Sequence, residues 1–163
     1  MSTLTGHGLT VALPAKWEGR IYLRDTAPAS RFAHVAGRGH PGERAHPVLH
    51  VANFPLPPGR GDFGTGAVER MSHAHVFASL FEYDGEEAGR ALFGARGLPV
   101  LHLRDFATNA LQRRLAGQLG VQRFFTVDGR PFCLYAVLGS SRNGAALVGE
   151  LRSVLATLRI EAR

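Results

Sequence analysis

The stretch VQRFFTVDGRPFCLYAVL, residues 121–138, constrains the fold more than any other part of the chain. Asp128-Gly129 is the dipeptide favoured by a two-residue type I′ hairpin, whose central residues both need positive φ. Centring the turn there sets Phe125 opposite Phe132, Arg123 opposite Leu134 and Val121 opposite Ala136 on one face. The other face carries Phe124 opposite Cys133 and Gln122 opposite Tyr135, with Val137 beyond. Both faces are partly apolar, so the ribbon belongs to a sheet that needs cover on each side, from helices or from another chain. At 163 residues the chain is long enough for one real core, and residues 1–163 are read as a single domain.

Shorter signals fill in the rest. Leu9, Val11 and Leu13 alternate with Thr10 and Ala12, the period of a half-buried strand, and Pro14 ends it. Ile21 and Leu23, with Tyr22 opposite, make a second strand. The two are expected to pair as an opening hairpin through residues 14–19, with Trp17 folded under the turn. Residues 25–47, rich in Ala, Gly, Pro and His, read as mostly loop with a short ordered piece near 32–35. Strands are expected at 48–54, 76–83 and 100–106, two turns of helix within 64–73, and a short helix within 85–93. The chain closes on an amphipathic helix. Asn143 stands at the cap position, Leu147, Leu151, Val154, Leu155 and Leu158 form one stripe, and Glu150, Arg152, Ser153 and Thr157 take the wet side. Gly149 costs that helix about 1 kcal/mol, which burial of the stripe outweighs. The expected class is α+β, built on a central, mainly antiparallel sheet.

Chemistry is harder to find. Gly59, Gly61 and Gly64 spell G-x-G-x-x-G after one strand, and Glu82 lies near the end of the next, as a dinucleotide site would need. Against that reading, Pro55, Pro57 and Pro58 separate strand from glycines, the helix behind them is short, and a hairpin follows where a βαβ unit is required. A structured surface loop is the simpler reading. The same stretch contains Arg60-Gly61-Asp62 and Asp62-Phe63-Gly64, tripeptides without the context of an integrin ligand or a kinase. His34, His40, His46 and His50 cluster in one region, His73 and His75 in another. His73 and His75 share a face if extended, and Glu69 approaches if the segment is helical; these are alternatives, with no third fixed ligand for a metal. Cys133 lies mid-strand among apolar residues and reads as a small core hydrophobe. Ser140 and Ser141 lack a G-x-S-x-G setting, and Glu86 and Glu87 point apart on any element. No catalytic constellation, cofactor or metal site is expected, and the chain is read as a non-enzyme.

The net charge of +6 and sequence pI near 10.6 raise the question of nucleic acid. The basic residues are scattered and almost all arginine, the pattern of a solvated surface more than a nucleic-acid patch. One cysteine allows no internal disulfide. With no basic-plus-apolar leader and no apolar run long enough for a membrane span, a cytoplasmic location is expected.

The order of parts, G-L-T-V-A-L-P-A-K-W, F-A-S-L-F-E-Y, Q-R-F-F-T-V-D-G-R-P-F-C-L-Y-A-V-L and a closing helix ending V-L-A-T-L-R-I, resembles the PsbP-like superfamily. That group includes relatives of a Ran-binding import factor, a photosystem extrinsic subunit, bacterial lipoproteins and chaperones associated with type VI effectors. The resemblance spans most of the chain and implies an α/β/α sandwich around an antiparallel sheet, in a group whose members mostly bind other proteins. It transfers no functional residues, and the chain departs from the lipoprotein branch in lacking a signal peptide and lipobox cysteine. The expected function is thus a non-catalytic protein-binding or chaperone-like module, with a protein partner or a second copy of itself as a homo-oligomer. Phe54, Leu56 and Phe63 are the expected contacts, as apolar residues in a proline- and glycine-rich loop, together with the 25–47 segment. The alternative is a small nucleotide- or metal-binding enzyme using the Gly59–Gly64 loop with His73 or His75.

Overall fold

His7 and Gly8 take φ of 52° and 74°, the positive pair of a type I′ turn, and they start the chain with a hairpin. The computed structural model describes residues 1–24 and 45–163. In it β1 (Ser2–Gly6) pairs antiparallel with β2 (Leu9–Leu13), Leu4 opposite Val11. The expected pairing of residues 9–13 with 21–23 is therefore corrected: β1 takes that place, and β3 (Glu18–Leu23) joins β4 (Pro47–Ala52) in a different sheet. The two sheets cross where Gly19 leaves room, since a Cβ there would stand 2.9 Å from Leu13 Cδ1. Trp17 does lie half-buried against the core.

The larger sheet continues through β5 (Val76–Glu82), β6 (Leu119–Val127) and β7 (Arg130–Leu138), in the order β3-β4-β5-β7-β6. Every pair in it is antiparallel. Asp128 and Gly129 take φ of 48° and 77°, and the register is the one the turn predicts, from Val121 opposite Ala136 to Phe125 opposite Phe132. Strands β4, β5 and β7 are buried along their whole length, as strands covered on both faces must be. After α1 (Gly144–Leu155), the short β8 (Arg159–Ile160) adds to β2 and completes a three-stranded sheet. The described chain is thus mixed α+β, with two antiparallel sheets and one C-terminal α-helix.

The main core lies between the large sheet, the small sheet and α1. Leu49, Leu80, Val121, Phe125, Leu134 and Ala136 meet Leu9, Val11 and Leu13, with Leu147, Leu151, Val154, Leu155 and Leu158 closing over them as the stripe requires. The opposite face carries Phe77, Phe81, Cys133 and Tyr135. It is covered by the chain's own connections, through Phe54, Phe63, Ala67, Val68, Leu111 and Leu115.

Four further expectations change. Within 64–73 only a single 3-10 turn forms, Val68–Arg70, because Gly64 and Gly66 at φ of 86° and 91° hold the chain in a left-handed bend. The predicted strand at 100–106 is absent: Leu103–Asp105 is a 3-10 turn whose Asp105 carboxylate accepts the His102 N–H at 2.7 Å, which folds the alternating residues out of register with any neighbour. Asn143 flanks α1, yet its amide donates to His73 O at 3.3 Å and makes no side-chain cap bond. Thr157 leaves the wet side to bond Ala12 N–H and Ala12 O at 3.0 and 3.2 Å, tying the end of α1 to β2. The expected ordered piece near 32–35, with His34 and His40, lies outside the described residues.

Candidate functional site

Between β4 and β5 the glycine loop is seated on the sheet by polar contacts. Asp62 O accepts from His50 Nε2 at 2.8 Å and from Ser79 Oγ at 2.6 Å, while its carboxylate accepts the Tyr22 hydroxyl at 2.8 Å. Arg60 Nε donates to His50 Nδ1 at 3.1 Å, and its guanidinium also bonds Pro57 O. This pattern makes His50 the neutral Nε2–H tautomer, a donor on one side and an acceptor on the other. His50 is fully buried, and burial, with the Arg60 charge added, lowers its pKa to about 4. Burial, then the Asp62 carboxylate, holds the Tyr22 hydroxyl protonated well above its usual range. The Arg60-Gly61-Asp62 tripeptide therefore points its chemistry into the protein.

The amides of Gly61, Gly64 and Gly66 are committed as well. Gly61 N donates to Thr65 O at 2.9 Å, Gly64 N to Gly61 O at 2.8 Å and Gly66 N to the Glu69 carboxylate at 2.6 Å. A phosphate cradle needs such donors free and aimed outward at a helix N-terminus. Here β4 and β5 are antiparallel neighbours, and the glycines answer to packing: a Cβ on Gly64 would stand 2.4 Å from the Phe77 ring. Glu82, the candidate ribose acid, is buried against Arg130, which donates to its two carboxylate oxygens at 3.0 and 2.7 Å. The same guanidinium donates to Gly8 O and Glu161 O, binding both chain ends to the sheet.

Of the expected contact residues, Phe54 is 4% exposed and stacks on His75 with ring centroids 4.7 Å apart. Leu56 is half-buried, its N–H donating to the Glu18 carboxylate at 2.9 Å. Phe63 is half-buried, stacked on Phe81 at 5.3 Å and edge-on to Tyr135 at 5.6 Å. A cleft of about 390 Å³ beside Phe54 is walled by Trp17, Glu18, Asn53 and His75. His73 is exposed while His75 accepts the Ser72 N–H at 3.0 Å, so the two do not converge. Among the described residues no three His, Cys, Asp or Glu side chains gather to hold a metal. Cys133 is buried, its thiol pushed up to about 11 by desolvation.

Open apolar surface lies elsewhere. Of the five large hydrophobic side chains that the described residues leave exposed, Leu92, Val100 and Leu103 fall on one segment, at 58, 64 and 38%. That segment is firmly held: Phe93 and Leu101 are buried beneath it, Thr126 Oγ1 donates to Phe93 O at 2.8 Å, and Thr126 exchanges backbone bonds with Ala95 and Gly97. Between it and α1 runs a groove of about 380 Å³, lined by Leu98, Val100, Leu101, Gly149, Arg152 and Leu155. Composition alone did not single these residues out. Val100 and Leu103 lie in the alternating run read as a strand, and the turn at Asp105 is what leaves them facing water.

No family model, curated protein or solved structure matches the chain. No helix among the described residues is long and apolar enough to cross a membrane.

Proposed function

We propose that this chain is a non-catalytic protein-binding module of the chaperone-like kind, acting in the cytoplasm, and that it meets its partner along residues 92–103 and the groove beside α1. The observation that carries this reading is the exposure of Leu92, Val100 and Leu103 on a segment anchored by buried Phe93 and Leu101. Exposed apolar side chains on a rigid support lose little conformational entropy on association, the condition for an efficient contact surface. Kinship with the PsbP-like superfamily is part of the proposal, as is its α/β/α sandwich, with α1 and the 98–106 segment as one outer layer and the 53–71, 85–93 and 111–115 connections as the other. The expected contacts Leu56 and Phe63 then lie across the sheet from the groove, where they pack against Phe77, Phe81 and Tyr135.

A photo-crosslinking amino acid at position 92 or 100, introduced in cells of the source organism, tests the reading. One protein should be captured from both positions and not from position 20, on the far edge strand β3. Equal or absent capture from all three, together with a rise of several degrees in Tm on adding a nucleotide or divalent metal, would favour the ligand-binding enzyme instead.

A further inference from the structure

We infer that the groove between 98–101 and α1 receives an acidic, amphipathic segment of the partner protein, and that Gly149 is the notch that seats it; this rests on the protein-binding reading above.

Gly149 sits in the middle of α1, where glycine weakens a helix relative to alanine. Packing within the described chain does not call for it, because an added Cβ meets no atom within 4 Å. Gly144, by contrast, is needed: a Cβ there would stand 2.5 Å from Leu103 Cδ1. Gly149 faces the groove, and the missing side chain lets another backbone approach α1 closely above Leu155.

The charges around the groove are one-sided. No Asp or Glu among the described residues lines it, and Asp105, on the turn beside α1, is already paired with Arg123 at 2.9 Å. Arg152 lines the groove, Arg104 lies on the turn packed against the start of α1, and Arg96 lies two residues before Leu98. All three are exposed, and none has an ion-pair partner among the described residues. An occupant with apolar residues toward Leu98, Leu101 and Leu155 and carboxylates toward these arginines matches both features. A second copy would set arginine against arginine. Nucleic acid would want aromatic stacking platforms, and the groove lining has none. A flat membrane surface would not reach the recessed floor.

Fluorescence anisotropy tests this with three labelled peptides sharing leucines at i, i+3, i+4 and i+7, their other positions filled with Glu and Ala, Lys and Ala, or Gln and Ala. The Glu peptide should bind about tenfold or more tighter than the other two. Gly149→Met, which fills the notch, and Arg152→Glu should each weaken it about tenfold or more, while the charge-matched Arg20→Glu on β3 leaves it unchanged. Gly149→Ala, raising Tm by about 1–4 °C, should weaken binding less than Gly149→Met, which separates loss of the notch from loss of the fold. Equal binding of the Glu and Gln peptides, or wild-type affinity in Gly149→Met, would overturn the inference. So would an anionic vesicle, a single-stranded oligonucleotide or self-association that Gly149→Met abolishes, each naming another occupant. A partner captured at position 100 through a segment without acidic residues would sink this inference and leave the protein-binding reading standing; no capture and no peptide binding would sink both.

Discussion

His50 is a neutral side chain held in a fixed hydrogen-bonding role, and protonation would break that role twice. The new N–H at Nδ1 would face the Arg60 donor, and the cation would sit buried beside a guanidinium. Unfolded, the imidazole protonates near its ordinary 6.5, whereas folded it does so only near 4. Between those values the unfolded chain binds more protons, so the full stability present above pH 6.5 is lost progressively as pH falls to 4. The gap corresponds to about 3 kcal/mol. Urea titrations at pH 7, 5.5 and 4 should show that decline, and His50→Gln should flatten it; an equal slope in both proteins would assign it to other groups. Glu82 gives a second expectation. Its removal in Glu82→Gln leaves Arg130 charged and buried, at a cost of about 3–5 kcal/mol read as a lower urea midpoint. In the sequence Glu82 stood out for its distance from the glycines, and Arg130 did not stand out at all. Their pairing joins strands β5 and β7, and nothing local to either residue announces it.

At the scale of elements, two glycines should respond to alanine in opposite directions. Gly64→Ala forces a Cβ onto a residue at φ 86° and into the Phe77 ring, with a destabilisation of more than about 2 kcal/mol. Gly149→Ala relieves a mid-helix glycine in open space and should gain about 0.5–1 kcal/mol. Chemical denaturation of the two variants beside the parent checks both signs. The β6–β7 hairpin was legible down to its register, because a type I′ turn depends on the φ tolerance of two adjacent residues. The β1–β2 hairpin has the same local cause in His7-Gly8, but histidine is a less familiar partner for glycine than aspartate or asparagine, although it too tolerates positive φ. Residues 100–106 show the reverse case. Their alternation is that of a strand, yet the turn capped by Asp105, whose carboxylate Arg123 on β6 also holds, leaves Leu101 buried and Leu103 exposed.

For the whole molecule, the main core includes side chains from both sheets and from α1, so the parts should not unfold separately. Urea unfolding followed by Trp17 fluorescence and by far-UV circular dichroism should give coincident transitions. A fluorescence change that precedes loss of secondary structure would mean that the small sheet detaches on its own. The periods of β2, β4 and β5, the Asp128-Gly129 register and the leucine stripe of α1 could be read directly from the residues, since φ preference and side-chain period act over a few neighbours. Contacts distant in sequence settled the rest: β3 beside β4 and not β2, Phe54 turned inward, the Asp62 carbonyl held by His50 and Ser79, and Gly149 opened toward a groove. These outcomes depend on competition among separated segments for burial and hydrogen-bond partners, and that competition is resolved when the chain closes on itself.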